Sequence, residues 1–576
     1  MIGKKNKTYV DLKFKSIFIA STFSMLLEYL MSLTDKILSG NILGADALAA
    51  ITLVEPFSLV VAFLSCVFSD ITGAPVATAL GKGDKKKAEQ YISQSIIIAV
   101  VTGIIITCVY TLFTDKLVYA VAGESQSYTY VQDYFRYLRF VPVPMLLNGV
   151  MYLAVLYRGG EKYCNVSAGV SLVSNIGLSI LLCFRIGMGG IAIGTVAGLT
   201  AGLIPLLAFM FTKQGRIHFY FRVSFKDIKE VIVYSVANSL VYLYLAIFQI
   251  AMNAYLVARY ADNAIIIFTG VVNVMGLISA MSDGLIEFIV PMINTYRGED
   301  NIQGCKKTIE KAMKASIIEG LIVTFILIFF AGLLVSAFGV TDSSVSREFV
   351  TAVRIYAVTI VLYYVVDLYT QYYLYIDRFK QTFIMGLLKG LLLPLLLGVI
   401  GGFIFGLNGV WIGMSVSQIA LCVGIYVMAR VNPEAGRKAL FLDEEKLKHQ
   451  WMWNVYMSES EIMKLIDQVR DVMEEQGIDS RRVNKAALAI EESQICSLDE
   501  TDKNGKNILE CSLLMDNNND KVTLILRNTA ERKNVLEEYA DIALEDKVSW
   551  NIINRMKVKS RSYILVNGNN RLIFEL

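Results

Sequence analysis

Long apolar segments alternate with short polar ones over the first three quarters of the chain. Each apolar segment is long enough to cross about 30 Å of hydrocarbon as an α-helix. Twelve of them are predicted before residue 431, at 16–38, 48–80, 91–113, 130–157, 163–184, 188–212, 229–257, 264–296, 309–338, 348–376, 382–405 and 408–430. The pattern predicts an α-helical polytopic membrane protein with twelve transmembrane helices.

Two similar stretches end the second and the eighth apolar segments. Ser69–Val76 and Ser282–Pro291 both begin with Ser-Asp, and their aspartates lie 213 residues apart. Gly83–Asp84 and Gly298–Glu299 then introduce two basic loops. Six segments per half, with both halves starting from the same side, predict a parallel repeat about an axis along the membrane normal.

This repeat predicts two six-helix lobes, at 1–213 and 214–430. A solute site between such lobes, near the midplane of the bilayer, is the physical expectation for an alternating-access transporter. The predicted partners of this part of the chain are therefore the lipid bilayer and a small-molecule substrate, and no nucleic acid is expected.

Composition and charge agree with a multi-pass protein of the cell membrane. Of the 576 residues, 55% are hydrophobic and 18% are charged, which is too apolar for a soluble globule of this size. Most Lys and Arg residues lie in alternate loops, and by the positive-inside rule this asymmetry predicts that both termini are cytoplasmic. The opposite loops offer only Lys116, Arg185, Arg259 and Arg347.

The end of the chain has a different composition. Residues 451–576 carry 17 basic and 22 acidic residues, a net charge of −5, against +8 for the residues before them. Capping, periodicity and turn signals predict a cytoplasmic α/β domain at 455–576. Its predicted helices lie near 458–477, 480–495 and 533–558, and its predicted strands lie at 508–515, 522–527, 562–566 and 571–576.

A linker at 431–454 is predicted to join this domain to the membrane region. It begins with the Pro/Gly-marked stretch Val431–Lys438. The following stretch, Ala439–Trp453, mixes large apolar and charged residues. An interfacial helix with Trp451 and Trp453 at headgroup depth and a plain linker packed on the next domain both fit this pattern.

Cysteine and histidine usage excludes several kinds of site. The eight cysteines include no CxxC pair, and His218 and His449 are the only histidines. Neither a zinc site, a disulfide framework nor a histidine relay is therefore indicated. No cofactor is expected apart from a coupling ion.

Two carboxylates, Glu28 and Asp35, lie in the first apolar segment. An ionised Asp near the bilayer centre costs about 2.5–3.5 kcal/mol, so such residues usually face a protein interior or a water-filled cavity. Asp35 is therefore a candidate for an ion or substrate pathway, and Glu28, seven residues earlier, shares its helical face. The alternative places Lys36 at the membrane surface and Asp35 in water, and position alone does not decide between them.

Three features of the membrane region resemble the multidrug and toxic compound extrusion (MATE) family. Asp35–Ala50 resembles its first-helix pattern, in which Asp and Gly precede a small-residue entry to the second helix. Ala79–Asp84 resembles its Gly-x-Gly-Asp turn, and the six-plus-six repeat is the third feature. The resemblance covers about residues 10–430 and implies a secondary active exporter.

The resemblance also implies roles for particular residues. In that family the first-helix Asp takes part in proton or sodium coupling, and Asp35 is the matching residue. The family partners are an Asn, an Asp one turn later and a Thr, which here are Asn175, Ser179 and Thr195. With Ser179 at the Asp position, two mechanisms stay open: Na⁺ held by these oxygens around a single carboxylate, or proton exchange by Asp35 alone.

Other acids within apolar segments are weaker candidates. Asp367, with Gln371 one turn later, is the second choice because members of the family often carry an acid in the second lobe. Glu55 precedes Pro56, and Glu287 lies four residues before Pro291, so hydrogen bonding at a helix kink is the alternative for both.

The C-terminal domain resembles the Bergerat-type (GHKL) ATPases of the anti-sigma-factor kinases. Ala487–Cys496, Val522–Ala530 and Tyr563–Phe574 carry the resemblance. The family's Glu is present as Glu492, but Cys496 replaces its Mg²⁺-binding Asn. Its adenine-reading Asp-x-Gly is Asn528-Thr-Ala530. We therefore expect a catalytically inactive domain that regulates transport or binds a cytoplasmic regulatory protein.

Three functions fit the sequence. The first is an antiporter that exports small organic, predicted cationic, compounds in exchange for H⁺ or Na⁺. The second is a flippase for lipid-linked sugars, although such proteins usually have about fourteen spans. The third is a membrane sensor that signals through its kinase-like tail.

Overall fold

The structure is a computed structural model that describes the chain in fifteen stretches. They are residues 8–81, 85–123, 127–156, 158, 160–212, 215–221, 225–260, 262–337, 343–375, 378–431, 447–498, 507–516, 521–530, 558–564 and 570–576. The chain divides into two compact units, here called the helical unit (20–286 and 315–427) and the sheet unit (1–19, 287–314 and 428–576).

Before residue 432 the described chain is almost entirely helical, as its long apolar runs predict. The helices are α1 (Tyr9–Leu38), α2 (Ala45–Gly81), α3 (Lys85–Leu112), α4 (Thr114–Ala122), α5 (Tyr128–Leu138), α6 (Pro142–Leu156), α7 (Glu161–Ile186), α8 (Met188–Met210), α9 (Phe225–Tyr260), α10 (Asp262–Gly298), α11 (Ile302–Ala337), α12 (Ser343–Ala357), α13 (Ile360–Tyr375), α14 (Phe379–Leu387) and α15 (Leu393–Val431).

Among the described residues, seven helices are long and apolar enough to cross a membrane, or up to nine when each of two bent pairs counts as one span. A polytopic helical fold is therefore confirmed, whereas twelve spans stay a prediction. One of the seven spans, 379–428, contains a break, because Phe405 and Gly406 have non-helical backbone angles. Gly406 has φ +67°, a conformation that favours glycine.

The two bent pairs lie at corresponding places in the two halves of the chain. α5 and α6 meet at an angle of 50°, and α12 and α13 meet at 51°. Pro142 begins α6, where its fixed φ angle suits the first helical turn. Such a match between the halves supports the internal repeat that the sequence predicts.

Two five-residue π-helical turns interrupt the regular helices, Ser39–Leu43 after α1 and Leu388–Leu392 after α14. Lys36 lies three residues before the first turn, and Lys389 lies within the second. π-Helical turns inside helices often accompany functional sites.

The sheet unit contains a five-stranded antiparallel sheet with the strand order β1-β2-β3-β5-β4. Two helices accompany it, α16 (Glu459–Glu475) and α17 (Ser480–Leu498). Ser458 caps α16 by accepting a hydrogen bond from the backbone N–H of Glu461, as the capping signal predicts. The strands are β1 (Gln450–Tyr456), β2 (Ile508–Met515), β3 (Val522–Asn528), β4 (Lys559–Ile564) and β5 (Asn570–Glu575).

The two faces of this sheet differ because strand side chains alternate. On one face, apolar residues of β2, β3 and β5 form a core with α16 and α17. On the other face, Asn454, Glu510, Arg527 and Arg571 are successive register partners across β1, β2, β3 and β5. A polar row therefore crosses four strands.

One prediction about the linker is wrong. Trp451 and Trp453 lie in β1, so an interfacial helix does not extend over them, and their strand pairs with β2. The reason is tertiary, because β1 adds an antiparallel partner to β2 from a distant part of the chain. Residues 432–446 and the predicted helical stretch at 533–558 lie outside the described residues, except that 558 is described.

Candidate functional site

Asp35 lies in the last turn of α1 and is buried, with 5% of its surface exposed. The Thr195 hydroxyl of α8 donates to Asp35 Oδ2 at 2.6 Å. Asn175 Nδ2 of α7 donates to Asp35 Oδ1 at 3.4 Å and to Thr195 Oγ1 at 3.3 Å. The structure thus brings together three helices at one carboxylate, in what is called here the Asp35 cluster: Asp35, Asn175, Ser179 and Thr195.

Lys36 is also buried, with 5% of its surface exposed. The alternative that places Lys36 at the membrane surface and Asp35 in water is therefore wrong. The physical reason is that Asp35 packs against α7 and α8, while Lys36 forms an ion pair with Glu55.

One atom of the cluster has no hydrogen-bond partner. Asn175 is fully buried, and its Oδ1 accepts no hydrogen bond from any described residue. A buried unpaired carbonyl oxygen costs free energy unless something binds it. An amide oxygen next to a carboxylate is a suitable ligand for a hard cation such as Na⁺.

Ser179 lies one turn after Asn175 and is fully buried. Its hydroxyl donates to the backbone carbonyl of Ile191 at 3.4 Å and lies close enough to interact with the Asp35 carboxylate. It adds a neutral oxygen and no second negative charge.

Glu28 lies in α1, but its side chain is outside the described part, so its role stays a prediction.

Glycines on α8 allow the close approach that builds the cluster. A Cβ on Gly194 would lie 2.0 Å from Ser179 Oγ, and one on Gly198 would lie 2.7 Å from Asn175 Cβ. Small residues at a helix interface let two membrane helices pack tightly. α8 therefore presents Thr195 to Asp35 at short range because Gly194 and Gly198 have no side chains.

Replacing Gly194 with alanine is expected to push α7 and α8 apart and to destabilise the protein by about 1–3 kcal/mol. The matched control is Gly177→Ala in α7, where a Cβ would meet nothing within 4 Å. The measurement is the thermal unfolding of both variants in detergent, followed by size-exclusion chromatography. Equal midpoints for the two variants would contradict the role given to Gly194.

Asp367 lies in a second buried cluster. It forms an ion pair with Lys389, and its Oδ2 accepts a hydrogen bond from Ser282 Oγ at 2.6 Å. The Lys389 ammonium also lies 4.1 Å from the centre of the Tyr363 ring. Lys389 thus neutralises the charge of Asp367. Sequence reasoning missed this lysine, and the available signal was a single Lys within an apolar run.

Two further polar residues have buried oxygens with no hydrogen-bond partner among the described residues. Gln371, one turn after Asp367, is one of them through its Oε1. Glu319 of α11 is the other, since neither of its carboxylate oxygens has a partner and 7% of the residue is exposed. Glu319 was missed by the sequence analysis, and its signal was an acid inside the apolar run 309–338.

Lys36 forms the third buried cluster of the helical unit. Its Nζ lies 3.0 Å and 3.1 Å from the two carboxylate oxygens of Glu55, and 2.8 Å from Asn273 Oδ1. The Tyr29 hydroxyl donates to the backbone carbonyl of Asn273 at 2.5 Å. Glu55 therefore has a lysine partner, which the sequence analysis did not predict.

Asn528, a residue of the degenerate nucleotide motif, is paired within its own domain. Asn528 is buried, donates to Gln494 Oε1 at 3.2 Å and accepts from Asn570 Nδ2 at 3.1 Å. The N–H of Ala530 also donates to Asn528 Oδ1, at 3.3 Å. Asn528 is therefore occupied by side chains and backbone of its own domain. Glu492 is half-buried on α17, and the side chain of Cys496 is outside the described part.

The polar row of the sheet binds the connection between α10 and α11. Arg527 forms ion pairs with Glu510 and with Glu299, and Arg571 Nη1 lies 2.7 Å from Glu299 Oε1. The Tyr296 hydroxyl donates to both carboxylate oxygens of Glu510 at 3.0 Å. These five residues are called here the Arg527 cluster.

Further contacts hold the same connection against β1 and β2. Gln450 Oε1 accepts from the backbone N–H of Ile302 at 2.8 Å, and its Nε2 donates to the Asp300 carbonyl at 2.7 Å. Asn301 Nδ2 donates to Ser512 Oγ at 3.0 Å. The C-terminal sheet is thus bound to the α10–α11 connection by charged and neutral hydrogen bonds.

Comparison with known proteins identifies the fold. The MatE family model matches residues 20–185, which include Asp35, Asn175 and Ser179. A crystal structure of MATE in complex with MaL6 is 20% identical, with a TM-score of 0.63 over 74% of this chain and 97% of its own. No curated protein sequence matches the chain.

Two other solved structures give the same result. An outward-facing multidrug resistance MATE family transporter of the MOP superfamily is 20% identical, with a TM-score of 0.63 over 74% of this chain and 96% of its own. A MOP superfamily transporter from Pyrococcus furiosus is 20% identical, with a TM-score of 0.61 over 75% of this chain and 99% of its own.

The chain has the MATE transporter fold. The sequence predicted a multi-pass membrane protein with a transporter fold and not with an enzyme fold. The comparisons give no support to the ATPase-like resemblance of the C-terminal domain, which stays a prediction. Within the MATE fold, the Asp35 cluster is the candidate functional site.

Proposed function

We propose that this protein is a secondary active efflux transporter that exports small organic compounds in exchange for H⁺ or Na⁺. The observation that carries the proposal is the Asp35 cluster, in which a buried carboxylate inside a transporter fold is held by Thr195 and Asn175. A buried intramembrane acid with neutral partners is the kind of group that takes up and releases a cation during transport.

The charge of the cluster limits the coupling ion. Asp35 supplies one negative charge, whereas Asn175, Ser179 and Thr195 supply neutral oxygens. One proton or one Na⁺ therefore balances the site, and a divalent cation does not.

Twelve spans with cytoplasmic termini belong to this proposal. The break at Phe405–Gly406 divides the apolar stretch 379–428 into two parts, and the bent pairs α5/α6 and α12/α13 each make one span. α1 and α10 are taken as one span each. Counted in this way, the helices correspond to the twelve predicted segments, and the positive-inside pattern of the loops supports cytoplasmic termini.

The test is flux in vesicles that contain the purified full-length protein. Export of a fluorescent organic cation is measured with an imposed H⁺ gradient, with an imposed Na⁺ gradient and with neither. We expect one gradient to accelerate flux by about tenfold or more over the equilibrated vesicles. Flux that is the same under all three conditions would show that no ion is coupled to transport.

We also propose that the C-terminal domain regulates transport through the Arg527 cluster. Glu299 lies between α10 and α11, two helices that run through both compact units. A ligand or a cytoplasmic protein that changes the sheet would act on these helices through Glu299. The buried contacts of Asn528 favour this role over nucleotide hydrolysis.

A further inference from the structure

A small polar cavity lies inside the helical unit, apart from the residues of the Asp35 cluster. Lys36 of α1, Glu55 of α2, Gln249 and Asn253 of α9 and Asn273 of α10 line it. It has room for about one water molecule in this conformation. Four helices from both halves of the chain therefore meet around a polar interior.

The charges that line the cavity balance because Lys36 and Glu55 form an ion pair, in which the side chains are 5% and 22% exposed. The Lys36 ammonium is 3.0 Å from Glu55 Oε1 and 2.8 Å from Asn273 Oδ1. A buried charge that loses its partner is strongly disfavoured. A simple cation at Glu55 would leave Lys36 unpaired, and a simple anion at Lys36 would leave Glu55 unpaired.

Three amide atoms that line the cavity have no hydrogen-bond partner among the described residues. Gln249 Nε2 and Asn273 Nδ2 are donors, and Asn253 Oδ1 is an acceptor. Gln249 and Asn273 are 3% and 2% exposed. Buried polar groups in native proteins are normally paired, so these atoms indicate a polar ligand that brings its own donors and acceptors.

We propose that this cavity is a substrate subsite for a small zwitterion, whose carboxylate binds Lys36 and whose ammonium group binds Glu55. Such a ligand separates the ion pair and leaves neither protein charge without a partner. The inference rests on the proposed export function and adds a zwitterionic substrate class to the organic cations whose export tests that function.

The walls of the cavity indicate the rest of the ligand. Phe268 and Val272 of α10 also line it, and Phe268 is buried. These apolar walls favour an apolar substituent once the cavity has opened, so the proposed substrate class is an amino acid with an apolar side chain. Entry of the ligand requires Asn273 to move away from Lys36, as happens when two lobes rock apart in alternating access.

The test measures equilibrium binding of three matched probes to the full-length protein in lipid nanodiscs. L-leucine carries both charges, L-leucinamide carries the ammonium group, and 4-methylpentanoate carries the carboxylate. We expect leucine to bind about tenfold more tightly than either analogue. Leucinamide binding as tight as leucine binding would overturn the proposal in favour of a cationic substrate.

Single variants then separate a binding role from a structural one. Lys36→Met leaves Glu55 without a cation, so we expect this variant to prefer leucinamide by about tenfold. Glu55→Gln leaves Lys36 unpaired, so we expect it to prefer 4-methylpentanoate. An ion pair that only fastens α1 to α2 would leave the order of preference unchanged in both variants, and this result would overturn the proposal.

The double variant Lys36→Met/Glu55→Gln keeps the test decisive if a single variant does not fold, because no unpaired charge remains. We expect it to bind the three probes with affinities within about threefold of one another, and a retained preference for leucine would overturn the proposal.

Ion-driven export of an organic cation by a protein that does not bind leucine would refute the zwitterion subsite and leave the proposed efflux function intact.

Discussion

Replacing Asp35 with asparagine is expected to abolish ion-driven export, lowering flux in an imposed gradient by about 100-fold. The amide cannot exchange a proton and does not neutralise Na⁺. It still presents an oxygen to the Thr195 hydroxyl, which lies 2.6 Å from Asp35 Oδ2, so the packing of α1 against α8 is preserved. The effect is therefore expected on coupling and not on folding.

Vesicle flux with and without the gradient measures this prediction. Asp133→Asn is the matched control, since Asp133 is an exposed acid of α5 and its replacement removes the same charge. Size-exclusion profiles of both variants should match that of the unmodified protein. Gradient-dependent flux that persists in Asp35→Asn would remove Asp35 from the coupling mechanism.

Asn175→Leu then separates the two coupling mechanisms. The unpartnered Asn175 Oδ1 is needed to ligate Na⁺ but is not needed for protonation of Asp35. If Na⁺ is the coupling ion, we expect this variant to lose gradient-driven flux as completely as Asp35→Asn. If H⁺ is the coupling ion, a substantial part of the flux should remain.

Replacing Arg527 with methionine is expected to destabilise the C-terminal sheet by about 3–5 kcal/mol. Arg527 and Glu510 are 1% and 0% exposed as side chains, and the guanidinium also lies 4.5 Å from the centre of the Tyr296 ring. Without it Glu510 keeps the Tyr296 hydroxyl but loses its cation. Glu299 keeps Arg571.

Amide hydrogen exchange of β2 and β3 in the full-length protein measures the loss, since the free energy of local opening is read directly from exchange rates. The control is Lys559→Met on β4, which removes an exposed ion pair with Glu575 at 3.2 Å. Exposed pairs contribute about 0–1 kcal/mol, so little change is expected there. Equal protection in both variants would contradict the role given to Arg527.

A double variant, Arg527→Met/Glu510→Leu, should recover much of the lost stability. It replaces the buried pair with apolar side chains of similar size, which is often neutral or stabilising.

The proposed regulatory role also requires that Arg527→Met change the rate of ion-driven flux without changing its dependence on the gradient.

The helical fold could be predicted from the sequence because its signals are local and strong. Each predicted apolar segment coincides largely with one described helix or with two consecutive ones, and Gly406 stands at the break that the gap 406–407 predicts. In the C-terminal domain, α16, α17, β2, β3 and β5 were found to within a few residues for the same reason. β1 was missed because Trp451 and Trp453 become strand residues only by pairing with β2.

The site was predicted in part. Asp35 is predicted from its place in an apolar segment, Asn175, Ser179 and Thr195 are implied by the MATE resemblance, and the structure brings the four together. Lys389 was not connected with Asp367, nor Lys36 with Glu55, because those pairs join residues that lie 22 and 19 positions apart. No pattern of helical periodicity relates residues on two different helices.

The sequence by itself determined that this chain crosses a membrane through apolar helices, carries a polar α/β domain at its end and has an acid, Asp35, within its first apolar segment. Hydropathy and composition suffice for this because they are summed over neighbouring residues. The tertiary structure alone decided which charges are neutralised. Ion pairs such as Lys36–Glu55 and Arg527–Glu299 form between residues of different elements, and their formation depends on packing that places the two partners within hydrogen-bond distance.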